Sequence, residues 1–223
     1  MLSQTNRPVN YNMDTENDFC YTVTRGGVFG MKQAEKNKKS RDHILTHAFT
    51  EFASSGYAGS SLNLICAHGG ISKGLLYHYY ASKDELYLAC VQKLFSEMTQ
   101  YLSGHIHLPE ITVTQYFDVR MRFFQQHPEH RQLFYDVLMY PPAHLSAQIN
   151  ECRAAFDELN NNALRCVLDK EKLTDRIPTE EAIRQFRAFV NFLGVYIRED
   201  TVPDAEQKAS ELLQTLLYGL IAR

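Results

Sequence analysis

The stretch that decides the fold is residues 61–86, SLNLICAHGGISKGLLYHYYASKDEL. Its apolar residues predict a short helix from about 61 to 68, which the glycine pair 69–70 ends. Ser72 can cap a second short helix over 73–79, because its hydroxyl oxygen can accept a hydrogen bond from a free N–H of the first turn. Two short helices joined by a tight turn predict a helix-turn-helix, whose second helix presents its first residues to the DNA major groove.

Helical patterns also dominate the rest of the chain. A first helix is expected from about Lys38, with Ser40 as its cap and Gly56 as its end. Ser82 caps a long helix that runs to about residue 103, with acidic residues in its first turn. Further helices are expected at 112–126, 129–139, 142–171, 179–198 and 204–222. Because no segment alternates as a strand does, the predicted fold class is all-α.

Composition excludes several classes of protein. The chain has 223 residues, of which 44% are hydrophobic, a composition typical of globular domains. No apolar run reaches the roughly 18 residues that a membrane span needs, and the N-terminal residues do not resemble a secretory signal. The five cysteines are scattered without a C-x-x-C pair. These features predict a reduced, cytoplasmic protein with no membrane segment.

The charge is unevenly distributed along the chain. The net charge of −3 divides into −1 for residues 1–30, +4 for residues 31–83 and −6 for residues 84–223. A basic segment on an acidic body suggests a polyanionic partner for one end, although a solvated lysine-rich helix would show the same balance.

Residues 41–90 resemble the tetracycline-repressor (TetR) family of transcriptional regulators, most specifically in SKGLLYHYYASKDEL at 72–86. The resemblance implies an all-helical dimer with an N-terminal three-helix DNA-binding domain and a larger helical domain for ligand binding and dimerisation. We therefore expect a flexible extension at 1–30, a DNA-binding domain at 31–83 and a ligand-binding and dimerisation domain at 84–223. The chain departs from the family pattern at Leu64, Cys66 and Leu75, of which the first two are interpreted as packing variants.

The helix-turn-helix and the resemblance together predict the DNA contacts. Lys73 can reach a guanine edge or a phosphate, and Gly74 lets the helix approach DNA closely. Leu75 either contacts a thymine methyl group or packs internally. Ser61 and Lys83 lie near helix N-termini, where phosphates bind well. The alternative for Lys73 and Lys83 is that they are solvated and do not contact DNA. The predicted DNA-binding residues are Ser61, Ser72, Lys73, Gly74, Leu75, Tyr77, His78 and Lys83.

The body is rich in aromatic residues, which can line a cavity for an apolar or aromatic effector. Aromatic residues at helical spacing also form ordinary cores, so both interpretations stay open for each of them. The candidate pocket residues are Tyr101, Tyr116, Phe117, Phe123, Phe124, Phe134, Tyr135, Tyr140 and Phe156.

Strong apolar stripes at 183–197 and 205–221 match the last two helices through which the family dimerises as a four-helix bundle. They can also form the core of one chain. The candidate interface residues are Phe186, Phe189, Val190, Leu193, Leu212, Leu213, Leu216, Leu217 and Leu220. A dimer would place two reading helices one DNA turn apart, roughly 34–36 Å, on a palindromic operator.

No catalytic or metal-binding arrangement stands out. The histidines at 105, 107, 127 and 130 lack the neighbouring ligands of a metal site, and no nucleophile–base pair, paired carboxylates or phosphate-binding glycine loop is present. Cys66 and Cys90 lie on apolar helix faces, where thiols are usually inert. We expect no metal, no cofactor and no enzymatic activity.

These observations predict a DNA-binding transcriptional regulator, specifically a homodimeric repressor released from a palindromic operator by a small-molecule effector. The alternatives are an activator or constitutive DNA binder that recruits a protein partner, and a helical enzyme or small-molecule carrier with an incidental helix-turn-helix.

Overall fold

The computed structural model describes residues 29–169 and 177–198, together with residues 211, 212 and 215. Every regular element in these ranges is helical, as the sequence predicts. The elements are α1 (Phe29–Gly59), α2 (Leu62–Gly69), α3 (Lys73–Tyr79), α4 (Lys83–His105), α5 (Val113–Gln126), α6 (Pro128–Met139), a 3-10 turn (Ala143–Leu145), α7 (Ser146–Leu168) and α8 (Thr179–Arg198).

The first helix begins earlier than the sequence predicts. It starts at Phe29, so the expected start near Lys38 is wrong and Ser40 lies inside the helix instead of capping it. The apolar stripe marks only the part of α1 that is buried against the core. Residues 35–39, which precede this stripe, are exposed and are supported by an i, i+4 ion pair between Glu35 and Lys39 at 2.8 Å, so they show no apolar period.

The other helix boundaries follow local capping chemistry closely. The helix 73–79 is found as predicted, and so is 179–198. The segment predicted as a helix over 142–171 divides into the 3-10 turn and α7. Most of the predicted helix 204–222 lies outside the described residues. Serines cap three helices by accepting a backbone N–H three residues on: Ser61 from Leu64 at 3.2 Å, Ser72 from Leu75 at 3.2 Å and Ser82 from Glu85 at 3.1 Å.

Helix α4 lies at the centre of the molecule and packs against α1, α5, α6 and α7. Its buried face consists of Leu86, Tyr87, Cys90, Val91, Leu94, Phe95, Met98 and Leu102. Helix α1 packs against α2 and also against α4 and α6, and α2 packs against α3. Among the described helices, none is long and apolar enough to cross a membrane.

Candidate nucleic-acid interface

The turn between α2 and α3 has the geometry that its glycines predict. Gly70 has a φ of 60°, a left-handed conformation that ends α2 and that glycine adopts without strain. The backbone N–H of Ile71 donates to the carbonyl of Cys66 at 2.9 Å, and the Ile71 side chain is buried with 6% exposure. Ile71 therefore fills the angle between the two helices.

Gly69 brings the turn into close contact with α1. A Cβ atom at Gly69 would lie 2.5 Å from Cδ1 of Ile71 and 2.9 Å from the ring of His47. The carbonyl of Gly69 lies 3.0 Å from Nε2 of His43, another side chain of α1. These contacts fix the orientation of α2 and α3 on α1.

Helix α3 has one buried side and one exposed side. Leu76 and Tyr80 are buried, with 0% and 5% exposure. Lys73 and His78 are exposed, and Tyr77 retains 54% of its accessible surface. Lys73, Tyr77 and His78 thus lie on the exposed face of α3, while Leu76 packs on the opposite face. A helix that binds in the major groove requires this arrangement.

The three departures from the family pattern have different surroundings. Cys66 is buried with 8% exposure, which fits its interpretation as a packing variant. Leu64 is 42% exposed on α2, so the same interpretation is wrong for it. Leu75 is half-buried and packs against the core, which favours internal packing over a thymine contact.

The two predicted phosphate-binding side chains differ in what already holds them. Ser61 is half-buried at the N-terminus of α2, where its oxygen caps the helix and its hydroxyl hydrogen remains able to donate. The ammonium of Lys83 donates to the carbonyl of Ser60 at 2.6 Å and lies 4.4 Å from the ring centre of Tyr57. Burial lowers the pKa of Lys83. Lys83 therefore joins α4 to the segment that follows α1, and its contact with a DNA phosphate stays a prediction.

A groove beside α3 contains basic residues that the sequence analysis did not single out. It measures about 580 Å³ and is lined in part by Lys38, Arg41 and Tyr79. The Arg41 guanidinium lies 5.7 Å from the ring centre of Tyr79, and the Tyr79 hydroxyl donates to Asn37 at 3.4 Å. Lys38 and Arg41 are part of the positive charge of segment 31–83, and this charge could have pointed to them. Cations next to a reading helix can contact phosphates.

Most of the candidate pocket residues form packed core. Phe134 contacts the rings of Phe124 and Phe156 with centroids 5.2 and 5.8 Å apart, and itself is 1% exposed. Tyr140 is 76% exposed, so it is not part of this packed core. Tyr101 is half-buried and stacks on His105. The remaining candidates are buried, namely Tyr116, Phe117, Phe123 and Tyr135. Ring-to-ring packing thus favours the core interpretation for the central residues.

The candidate dimer residues are only partly described. Phe186 and Val190 are 0% and 1% exposed within the single chain, so they are core residues and their place in the interface is corrected. Phe189 is half-buried, whereas Phe192 is 58% exposed on the same helix and was missed by the sequence analysis. Leu212 is 40% exposed. The side chains of Leu193, Leu213, Leu216, Leu217 and Leu220 lie outside the described residues.

The histidines considered as metal ligands have other contacts. His105 stacks on Tyr101 with ring centres 4.1 Å apart, and His130 lies against the carboxylate of Glu97. Within the described residues, no group of three or more side chains could hold a metal ion. Cys90 is fully buried, and burial raises the pKa of its thiol.

A capped helix pair, a glycine turn seated on a third helix and an exposed Lys–Tyr–His face together define a helix-turn-helix DNA-binding protein. The comparisons with known proteins agree. Residues 44–90 match the model for bacterial regulatory proteins of the tetR family, and residues 110–219 match the tetracyclin repressor-like C-terminal domain. The chain belongs to the TetR family and is a DNA-binding transcriptional regulator.

Individual relatives support the same assignment. The chain is 25% identical over 163 residues to the HTH-type transcriptional repressor SCO4008 of Streptomyces coelicolor, covering 73% of this chain and 82% of that protein. It is 24% identical over 140 residues to the regulator RutR of Escherichia coli, covering 61% of this chain and 66% of RutR. The fold is shared with the regulator FadR of Bacillus subtilis, solved with stearoyl-CoA, at a TM-score of 0.66 and 14% identity over 80% of this chain and 98% of that one.

Gly74 allows helix stability and DNA binding to be separated. A Cβ atom at Gly74 would meet nothing within 4 Å in the described chain. We expect Gly74→Ala to stabilise α3 by about 0.5–1 kcal/mol in chemical denaturation, because alanine loses less backbone entropy in a helix. The same change should weaken operator binding in a gel-shift titration, because the added methyl group keeps the helix from the groove.

Gly69→Ala is the matched control, since its Cβ would collide with Ile71 and His47. It should destabilise the protein by about 1–3 kcal/mol. Unchanged DNA affinity in Gly74→Ala would show that α3 does not approach DNA at this residue.

Proposed function

We propose that this regulator is a homodimeric repressor that binds a palindromic operator through α3 and is released when a small-molecule effector binds its helical body. It would act in the cytoplasm, where its DNA lies, and would bind without a cofactor or catalysis. The observation that carries the proposal is the exposed face of Lys73, Gly74, Tyr77 and His78 on a helix whose Leu76 is buried in the core. SCO4008 is named a repressor, and the FadR structure contains an acyl-CoA, so both parts of the proposal have precedents among similar proteins.

Dimerisation follows from the small size of each reading helix. α3 has seven residues and exposes only a few side chains, which limits the affinity of one subunit. Two subunits joined through the body would double the contacts and would read two half-sites about 34–36 Å apart. The exposed apolar residues Phe192 and Leu212 support an interface that includes α8 and the following segment.

Polar and aromatic contacts connect the DNA-binding helices to the body. The Thr50 hydroxyl of α1 donates to Glu129 of α6 at 3.2 Å. Next to it, the rings of Phe49 and His130 lie 4.5 Å apart. A shift of α6 would therefore move α1, and α1 carries the helix-turn-helix.

A second connection joins α1, α4 and the 3-10 turn. The Tyr57 hydroxyl donates to the Asp84 carboxylate, and Nε2 of His144 lies 3.1 Å from the same carboxylate. The hydrogen bond with Asp84 is the main reason that the pKa of Tyr57 rises to about 12, with burial adding to it. The hydrogen bond from Tyr57 is also the main cause that lowers the pKa of Asp84, against burial and together with His144.

These connections suggest how an effector acts. An effector that binds better to a conformation with a different separation of the two reading helices shifts the population towards that conformation. A mismatch of a few ångströms against the groove spacing removes base and phosphate contacts of one subunit, so DNA is released. The effector must have differential affinity for the two conformations, because equal affinity shifts nothing.

Selection of bound fragments from random DNA by the purified full chain tests the proposal. The expected product is a palindrome whose half-sites lie one or two helical turns apart, protected symmetrically in a footprint. A single unsymmetrical half-site would contradict the dimer, and the absence of any enriched sequence would contradict operator recognition. Affinity that no effector in a broad panel changes would identify a constitutive binder.

Asp84→Asn tests the connection at Tyr57. Because the pKa of Asp84 is lowered in the folded state, its stabilising contribution is present above the ordinary value of 3.8 and is lost as the pH falls through the lowered value. The unfolding free energies of wild type and variant should therefore differ at pH 7 and converge once the pH has fallen below the lowered pKa of Asp84. Urea denaturation at several pH values measures this difference. Asp118→Asn, at an exposed position of α5, is the control and should have the unfolding free energy of the wild type at pH 7. A difference in unfolding free energy between wild type and Asp84→Asn that stays constant at all pH values would contradict the assigned ionic contact.

A further inference from the structure

Arg120 of α5 is a charged side chain in the middle of the apolar body. It is 1% exposed, which is as buried as the hydrophobic core residues around it. Removing a guanidinium from water costs several kcal/mol unless opposite charge or hydrogen bonds replace the lost hydration. The hydrogen-bond partners of Arg120 therefore indicate its role.

The partners of Arg120 are all neutral. Nη1 donates to the Tyr116 hydroxyl at 3.0 Å and to Oδ1 of Asn160 at 3.1 Å, and Nη2 donates to Oδ1 of Asn191 at 3.3 Å. The ring centres of Phe134 and Phe156 each lie 5.6 Å from the guanidinium carbon. None of the ion pairs among the described residues includes Arg120. The positive charge is held by dipoles and rings and is not neutralised there.

The Asn160 side chain is fixed by its other contacts. Its amide group donates to the carbonyl of Phe156 at 2.6 Å, and its oxygen also accepts from the Tyr116 hydroxyl. Nη1 of Arg120 is therefore bound to a preorganised pair of acceptors. This leaves the opposite edge of the guanidinium, formed by Nε and Nη2, as the part that can take another ligand.

The Nε–Nη2 edge of Arg120 makes few hydrogen bonds. Among the described residues, Nε is buried without a hydrogen-bond partner, and Nη2 makes a single long hydrogen bond, to Asn191. Nε–H and one Nη2–H point in the same direction, which matches the two oxygens of a carboxylate in a bidentate pair. A buried cation with an unpaired donor on its bidentate edge has the chemistry of an anion-binding site.

We infer that the body binds an organic acid whose carboxylate occupies the Nε–Nη2 edge of Arg120. This inference deepens the proposed function, on which it rests for its regulatory meaning, by naming the chemical class of the effector. The carboxylate replaces Asn191 of α8 as the partner of Nη2, so binding exchanges a contact between α5 and α8 for a contact with the ligand. α8 also carries the exposed Phe192 of the proposed dimer interface, which connects ligand binding to the separation of the two subunits.

Calorimetric titration of the full chain without DNA tests the inference. The probes are benzoate and hexanoate, the neutral amides benzamide and hexanamide, and inorganic phosphate. We expect the wild type to bind at least one carboxylate and to bind its amide more weakly by about tenfold or more, because a charge-assisted bidentate pair is lost. Arg120→Met should lower carboxylate affinity by a similar factor. Arg122→Met, at an exposed arginine of the same helix, is the matched control and should bind as the wild type does.

If Arg120→Met does not fold, Arg120→Lys replaces it, since lysine keeps the charge but lacks the bidentate edge and should bind several-fold more weakly. Equal binding of acid and amide, no binding of either acid, a preference for phosphate, or an effect of Arg122→Met in place of Arg120→Met would each overturn the inference. Because these titrations contain no DNA, their failure leaves operator binding intact. A failed DNA selection with intact acid binding would overturn only the proposed function.

Discussion

Replacing Lys73 and Tyr77 together by alanine is expected to weaken operator binding by about a hundredfold or more without changing the thermal unfolding of the protein. Both side chains are exposed on α3, so their removal creates no cavity. A good base contact contributes about 1–3 kcal/mol, and a dimer loses each contact twice, which places the loss at or above two factors of ten. Gel-shift titration against the selected operator measures it.

The salt dependence of binding distinguishes the two roles predicted for Lys73. If the ammonium contacts a phosphate, Lys73→Ala weakens all sequences alike and reduces the slope of log affinity against log salt by about one per subunit. If it contacts a guanine, the variant loses preference at one base pair. Tyr140→Ala is the control for Tyr77→Ala, because Tyr140 is also exposed but lies at the end of α6. Unchanged affinity in the double variant would show that α3 is not the reading helix.

Phe134→Ala should produce the largest loss of stability. The ring is 1% exposed and packs against Phe95, Phe124 and Phe156, with centroids 5.9, 5.2 and 5.8 Å away. It also lies 5.6 Å from the guanidinium carbon of Arg120. Truncation removes this packing and leaves a cavity, at a cost of about 3–5 kcal/mol in the free energy of unfolding. Urea denaturation followed by circular dichroism measures the change.

Met139→Ala is the control for Phe134→Ala on the same helix. Met139 is 53% exposed, so its truncation should change the free energy of unfolding by no more than about 0.5 kcal/mol. A small loss for Phe134→Ala, similar to that of Met139→Ala, would mean that the ring cluster is loosely packed. The aromatic residues would then be closer to a cavity lining than to a core.

Local chemistry explains why the helix-turn-helix could be predicted so closely. The caps at Ser61, Ser72 and Ser82 each bind a backbone N–H three residues away, and the left-handed turn at Gly70 needs only glycine at that position. Such features depend on neighbours within one helical turn. The start of α1 was missed because residues 35–39, which precede its apolar stripe, are exposed and carry no apolar period.

The errors elsewhere concern which residues meet across the fold. Aromatic spacing alone does not distinguish a core residue such as Phe134 from an exposed one such as Tyr140. Nor does a lysine at a helix N-terminus show its partner, which for Lys83 is the carbonyl of Ser60. Periodicity shows that a face is apolar, but it does not show whether that face is covered by the same chain or by a partner.

The sequence by itself determined the helical class, the reading helix with its caps, and the assignment to a family of DNA-binding regulators, because each depends on short-range pattern. Only the tertiary structure decided that the aromatic residues of the body pack around Arg120 and that Arg120 has neutral partners. Those partners, Asn160 and Asn191, are 40 and 71 residues away along the chain. Desolvation of a charge depends on everything that surrounds it, and no local pattern in the sequence contains that information.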